Sequence, residues 1–520
     1  MKRDVTETSA SLRELLEQRA AKSPAKTFLI SEHDGREWTY AEFDAAVNRT
    51  AHLLSAQELI RKGDVVSLLL ANSAEYIIAY FACFKIGALA GPVNSLLKPG
   101  EIAYALNHSE AKLLLTNSEF LPCLEGLREQ LPALRNIMLF DNWGEATLGF
   151  SSDDNEEWRG TPLSRADDAI LIYTSGTTGK PKGCLLTHGN LLANARQIVE
   201  WLNFTPADRL LSVMPLFHMN AVMVTTVAAL YAGGSSVVSP RFSASRFWQI
   251  VSDHEVTSFG SVATMLSMLV ATYPAGVPAG LLTHQLRFAM CGSAPVPAEV
   301  LRRFEETFDC LVIEGYGLSE STVRATFNPP DARRRPGSCG QSIGCEIKIF
   351  NEDEREVPRG ERGEIVLRGE NIFKGYYRNE AATAEAFRGG WFHTGDIGYR
   401  DADDFYYIAD RKSDMIIRGG ENIYPREIDE LLYKHPAVAA AAAVGVPDEL
   451  YGEEVVAFVV LQEGHEATAG ELLDYCRAHL ADFKCPKTII FLPDLPKGPT
   501  GKVLKRELAE KYKSPMSGLS

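Results

Sequence analysis

Apolar residues in the first part of the chain arrive in short solid runs, separated by stretches where they recur at helical spacing. Val65-Val66-Ser67-Leu68-Leu69-Leu70 is one such run, entered through the turn Lys62-Gly63-Asp64. A continuous apolar run of this length predicts a strand buried on both faces. Beyond the break at Asn72-Ser73, Tyr76, Ile77, Tyr80, Phe81 and Phe84 repeat at helical spacing as far as Gly87. A short apolar segment, a helix over 101–107 and a strand over 112–116 follow. Further strand-like runs lie at 209–214, 235–238, 286–291 and 311–313. Strands alternating with helices are the grammar of βαβ units, which build parallel sheets covered by helices.

The texture changes after Arg335. Residues 346–350 and 363–368 alternate apolar and polar positions between charged turns, which predicts a smaller β-rich module. The polar run Asp410-Arg411-Lys412-Ser413-Asp414 then precedes helices near 425–434 and 469–480 and strands near 438–444 and 455–461. The expected fold is therefore α/β and multidomain. A large N-terminal domain (1–410) combines parallel βαβ-type sheets with the β-rich module, 411–414 form a hinge, and 415–520 form a small α+β domain.

Length and composition narrow the classes. At 520 residues the chain exceeds a single hydrophobic core. Its net charge of -15 argues against a nucleic-acid partner, which calls for a basic balance. The nine cysteines are scattered, without a C-x-x-C pair, as expected of reduced thiols in a cytoplasmic protein and not of a disulfide framework or zinc site. The start lacks an apolar signal segment. The most apolar stretch, 219–232, is too short to span a bilayer and reads as a buried helix, so no integral membrane segment is expected.

Candidate chemistry concentrates in Tyr173-Thr174-Ser175-Gly176-Thr177-Thr178-Gly179-Lys180-Pro181-Lys182-Gly183, directly after the apolar residues 169–172. Glycines let backbone N–H groups close on a phosphate, hydroxyls add donors and Lys182 adds positive charge. A polyphosphate, ATP above all, suits such a loop. It is not a Walker A element, because Thr174 and Pro181 stand where that pattern needs Gly and Ser or Thr. A second Gly-hinged run, Pro499-Thr500-Gly501-Lys502, lies near the C-terminus.

Together these runs resemble the adenylate-forming superfamily of acyl-CoA synthetases, firefly luciferase and nonribosomal peptide adenylation domains. Six segments follow its pattern in order from about residue 170 onward. The resemblance implies that Gly292-Ser293-Ala294-Pro295 border the adenine. In Glu314-Gly315-Tyr316-Gly317-Leu318-Ser319-Glu320 it implies that Tyr316 stacks on the base, Ser319 touches the α-phosphate and Glu320, with Thr174, binds Mg²⁺. An aromatic face suits a purine, and a hard carboxylate oxygen suits Mg²⁺. Asp396 and Arg411 would reach the ribose beside Ile408. Lys502 would bridge the substrate carboxylate and the α-phosphate, with Thr174 and Glu320 completing the catalytic set.

By the same resemblance, the small domain is mobile. Its swing would replace Lys502 by the loop Arg418-Gly419-Gly420-Glu421, where coenzyme A enters. Ser413 holds the pivot position usually occupied by Asp or Lys. His218 stands where amino-acid-activating relatives carry an Asp for the substrate ammonium, which favours a plain carboxylic acid. The implied acyl pocket comprises His218, Ala221, Val262, Ala263, Met265, Gly292, Gly317 and Thr322, mostly small or apolar residues that suit a short or medium chain. Residues 242–248 and 392–422 look like the crotonobetaine/carnitine-CoA ligase branch, which points to a carnitine-like acid.

The expected activity is thus an ATP-dependent carboxylate–CoA ligase, with fatty acid metabolism as its setting, using ATP, Mg²⁺ and coenzyme A, as a monomer or homodimer. The alternative is a stand-alone ligase that loads a carrier-protein thiol, and a third reading is a luciferase-like adenylate binder.

Overall fold

The computed structural model describes residues 9–141, 160–174, 181–292, 298–419, 421–498 and 503–513. The helix expected after Asn72-Ser73 runs Ala74–Ile86. Ser73 caps it, its side chain accepting from the Tyr76 N–H at 3.2 Å, and Gly87 ends it at φ 78°. Glycine fits that left-handed stop without penalty. The solid run ahead of it forms the strand Val65–Leu69, buried at every position.

Among the described residues, Val65–Leu69 belongs to a seven-stranded sheet, between Leu89–Pro92 and Leu113–Thr116 and parallel to both. A nine-stranded sheet holds the other parallel strands, among them Arg209–Ser212, Ser235–Val238, Ser258–Ser261, Phe288–Cys291 and Leu311–Tyr316. One core cluster extends over residues from both sheets and the helices packed on them. The apolar stretch after Met219 is helical and buried throughout, with π geometry over Asn220–Val227 and α geometry over Ala228–Ala232.

The β-rich module is an antiparallel sheet in the order Glu346–Phe350, Gly363–Arg368, Phe392–Arg400, Tyr406–Arg411. Beyond it the chain builds a further sheet from Ile416–Arg418, Glu421–Ile423, Val438–Asp448, Gly452–Leu461 and Thr488–Phe491. That sheet and its helices Pro425–Tyr433 and Ala469–His479 enclose their own core around Ile416, Leu432, Val455 and Leu472.

One connection was not anticipated by the parallel reading. Asp168–Thr174 and Lys182–Thr187 pair antiparallel, Thr174 opposite Lys182, so the phosphate-loop sequence joins the two arms of a hairpin. Gly375–Tyr376 then pairs with the outer arm, Tyr376 opposite Cys184.

Candidate active site

Three parallel strands end level with one another. Ser261 is in register with Cys291, and Cys291 with Glu314. Their C-terminal ends therefore deliver Val262-Ala263, Gly292 and Gly315-Tyr316-Gly317 to one edge of the sheet, where open α/β sheets gather their ligands. Glycine is required at two of these positions by close approach. A Cβ on Gly317 would collide with the Val323 carbonyl, and one on Gly315 with the Phe327 ring.

Tyr316 joins the β-rich module at this edge. Its hydroxyl donates to Oδ2 of Asp396 at 2.6 Å, and Nε of Arg411 lies 3.3 Å from Oδ1. Strand register places Asp396 opposite Arg411. Burial and the Asp396 carboxylate push the Tyr316 hydroxyl pKa far up, so the phenol stays protonated and is a donor. Burial works against the Arg411 cation, but Asp396 and its neighbours hold its pKa above the ordinary value.

Beside this cluster stands Glu320, buried in the short turn Ser319–Ser321. Burial raises its pKa; the hydroxyl of Tyr376, donating to Oε1 at 3.0 Å, and the charge of Arg411 act in the opposite sense. Tyr376 also carries the Lys182 ammonium 4.9 Å from its ring centre. One aromatic side chain thus links the base of the phosphate hairpin to the acid. A desolvated carboxylate of this kind is stabilised by a cation. Among the described residues no three His, Cys, Asp or Glu side chains cluster as a metal cage. One buried carboxylate with phosphate oxygens is the donor set that Mg²⁺ accepts.

A cavity of about 500 Å³ opens over Tyr316, Asp396 and Arg411. Val262, Ala263, Glu314, Gly315, Tyr316, Gly317, Asp396, Ile408 and Arg411 form one wall, and Arg426, Asp429, Glu430, Tyr433 and Lys505 belong to the opposite one. The walls are tied together. Arg426 donates its N–H to Asp410 and its Nη1 to the Ile408 carbonyl, both at 2.8 Å; within its own wall Lys505 reaches Oδ2 of Asp429 at 2.7 Å. Glu314 accepts from the Gly337 N–H at 2.9 Å, and burial lifts its pKa to about 8.

Several expected site residues fall elsewhere. Ser175, Gly176, Thr177, Thr178, Gly179, Ser293, Ala294, Pro295, Gly420 and Lys502 lie outside the described residues. Lys497 and Val503 form a β-bridge, and both line the cavity. His218, Ala221, Met265 and Thr322 are not among the residues lining the cavity. His218 is buried deeply enough that its pKa falls to about 4, leaving it neutral, and its Nε2 has no partner among the described residues. Thr322 is the centre of a tight turn, its hydroxyl donating to the Asn371 carbonyl at 2.7 Å. Arg418 is engaged with Glu454 at 2.7 Å and stacks on Tyr451. It pairs in register with Glu421, and Gly419 beside it has φ 59°. Ser413 donates to Asp414 in a surface turn.

Tyr376, Asp410 and Arg426 were not anticipated as site residues. Only the aromatic-flanked glycine in Phe373-Lys374-Gly375-Tyr376-Tyr377 could have drawn attention to Tyr376.

Comparison with known proteins gives the family. The profile of the AMP-binding enzyme family matches residues 16–377, and that of the AMP-binding enzyme C-terminal domain matches 427–502. The chain belongs to the AMP-binding enzyme family. Within that family it is 39% identical to sulfoacetate–CoA ligase of Cupriavidus necator, over 96% of this chain and 97% of that protein. It is 35% identical to crotonobetaine/carnitine–CoA ligase of Escherichia coli, over 93% and 96%. Among solved structures, ATP-bound MatB from Rhodopseudomonas palustris superposes with a TM-score of 0.89 at 30% identity, covering 96% of this chain and 99% of that one. This AMP-binding enzyme thus falls in the acyl-CoA synthetase branch. No helix among its described residues is long and apolar enough to cross a membrane.

Proposed function

We propose that this chain is an ATP-dependent ligase that joins a short carboxylic acid to coenzyme A, releasing pyrophosphate and AMP. The observation that carries this reading is the Tyr316–Asp396–Arg411 cluster on a two-walled cavity, with Glu320, Tyr376 and Lys182 beside it. An aromatic ring, a carboxylate for ribose hydroxyls and a guanidinium suit a nucleoside monophosphate unit. The buried acid and the hairpin base suit its polyphosphate.

In the first step a carboxylate oxygen bonds to the α-phosphorus and the bond to pyrophosphate breaks, giving an acyl-adenylate. Charge from both reactants converges there, so preorganised cations lower the barrier. Lys502 is assigned that task, with Arg411 and Asp396 fixing the ribose and Thr174 at the hairpin base. Mg²⁺, which Glu320 and Thr174 would hold, supplies neutralisation of phosphate oxygens when bound. In the second step the thiol sulfur bonds to the acyl carbon, the carbon–oxygen bond to AMP breaks and the thiol proton passes to solvent. The division into 1–410, a hinge at 411–414 about Ser413, and 415–520 gives each step its own loop: Lys502 for adenylation and residues 418–421 for thiol entry.

The acid is proposed to be short because Val262, Ala263 and Gly317 meet the nucleotide cavity directly, while His218 and Met265 sit away from its wall. Sulfoacetate–CoA ligase, among the relatives, is named for such an acid. A panel of short, medium and carnitine-like acids, assayed for pyrophosphate release with and without coenzyme A, tests the reading. Release followed by thioester with coenzyme A is expected. Thioester formed only on a phosphopantetheinyl carrier protein would transfer the chain to the carrier-loading class.

A further inference from the structure

Arg324 is 1% exposed, and two of its three guanidinium nitrogens, Nε and Nη2, have no hydrogen-bond partner among the described residues. Nη1 donates to the Val323 carbonyl at 3.1 Å, and the guanidinium carbon lies 5.1 Å from the Phe327 ring centre. No carboxylate among the described residues pairs with it. The ionisable group that acts on it is Cys291, whose thiol burial holds neutral, its pKa pushed up to about 12. Burial brings the guanidinium pKa down to about 10, so it remains a cation at neutral pH. An uncompensated buried cation is costly to the fold.

Its position gives that cost a use. A Cβ added to Gly292 would lie 2.8 Å from Nη2 and 2.7 Å from the Gly315 carbonyl, so the guanidinium abuts the strand end that leads to the cavity edge. The backbone behind it is clamped. Its N–H donates to Oδ1 of Asn194 at 3.2 Å, and its carbonyl accepts from Asn194 at 2.7 Å and from Asn371 at 3.2 Å. Nε and Nη2 share one edge of the guanidinium plane, the edge that pairs side-on with two oxygens of an oxyanion.

We propose that Arg324 recognises a second anionic group, a sulfonate or a carboxylate, on the acid whose first carboxylate is adenylated. The proposal rests on the ligase reading and narrows its substrate class to short dianionic acids. A carnitine-like acid is disfavoured, because its quaternary ammonium would face a like charge without water between them.

The test uses the full chain with ATP, Mg²⁺ and coenzyme A, and compares sulfoacetate, malonate and succinate with butanoate and carnitine. In the wild type at least one dianionic acid is expected to exceed butanoate about a hundredfold in kcat/KM. Arg324→Met is expected to erase that advantage while leaving butanoate within about threefold. Arg324→Lys keeps the charge without the fork and is expected to retain the preference at a raised KM. An equal loss for every acid in Arg324→Met, or a wild type that prefers butanoate or carnitine, overturns the proposal and leaves the ligase reading standing. If Arg324→Met does not fold, the wild-type ranking and the Lys variant decide. Failure of every acid to release pyrophosphate overturns both.

Discussion

Glu314 and Glu320 sit at the two ends of one motif, and the same force, desolvation, acts on both. Glu314 has the Gly337 N–H and the charges of Arg426 and Arg334 to offset it, and still stays protonated at neutral pH. Because its folded pKa, about 8, lies above the unfolded value, its contribution to stability is present below about pH 4.5. That contribution is lost as pH rises through 8. Glu314→Gln preserves the acceptor for Gly337 without the proton. Urea unfolding at pH 5 and pH 8 is expected to show the wild type losing a few kcal/mol more than this variant. Equal losses would mean that Glu314 is ionised in the fold. Glu320 differs in having the Tyr376 hydroxyl, which favours its charged form. Tyr376→Phe is expected to move the acid limb of the kcat profile to higher pH and to cost roughly ten- to a hundredfold in kcat/KM at pH 6. A uniform loss at all pH values would limit Tyr376 to packing. The carboxylates were legible in the sequence because their motif is contiguous. Tyr376 was not, because it reaches Glu320 only through strand pairing with a segment nearly two hundred residues earlier.

At the level of elements, periodicity and capping residues announced helices well, as Ser73 and Gly87 illustrate. They could not announce the hairpin beneath the phosphate loop, since a solid apolar run looks the same whether its neighbour is parallel or antiparallel. The turn after Glu320 was equally hidden. Thr322 holds φ 68° and ψ -53°, and the Val323 N–H donates to the Ser321 carbonyl at 2.9 Å, a γ-turn rare for a β-branched residue. Such backbone costs of order 1–3 kcal/mol and persists because neighbours insist on it. Here the neighbour is Asn371, which takes the Thr322 hydroxyl on its carbonyl and gives its amide to Ser321 and Arg324. Thr322→Val keeps the shape and removes the hydroxyl. It is expected to lower stability by about 1–3 kcal/mol in chemical denaturation. No change would show that the turn does not depend on this tether.

Across the whole molecule, the walls of the cavity come from parts with separate cores. Scanning calorimetry of the ligand-free protein is expected to resolve two transitions. ATP or AMP at about a hundred times Kd is expected to draw them together, adding roughly 2.7 kcal/mol to the state that binds it. A single transition unmoved by nucleotide would contradict that coupling. The sheet order has a different consequence, one of timing. Thr27–Ser31 is the strand that pairs in parallel with Ser235–Val238, about two hundred residues further along. At a synthesis rate of roughly 5–20 residues per second, Phe28, Leu29 and Ile30 leave the ribosome about ten to forty seconds before their partner exists. For that interval an apolar edge stands open on every nascent chain. The yield of this enzyme is therefore set partly by what shields residues 27–31 while the rest is being made.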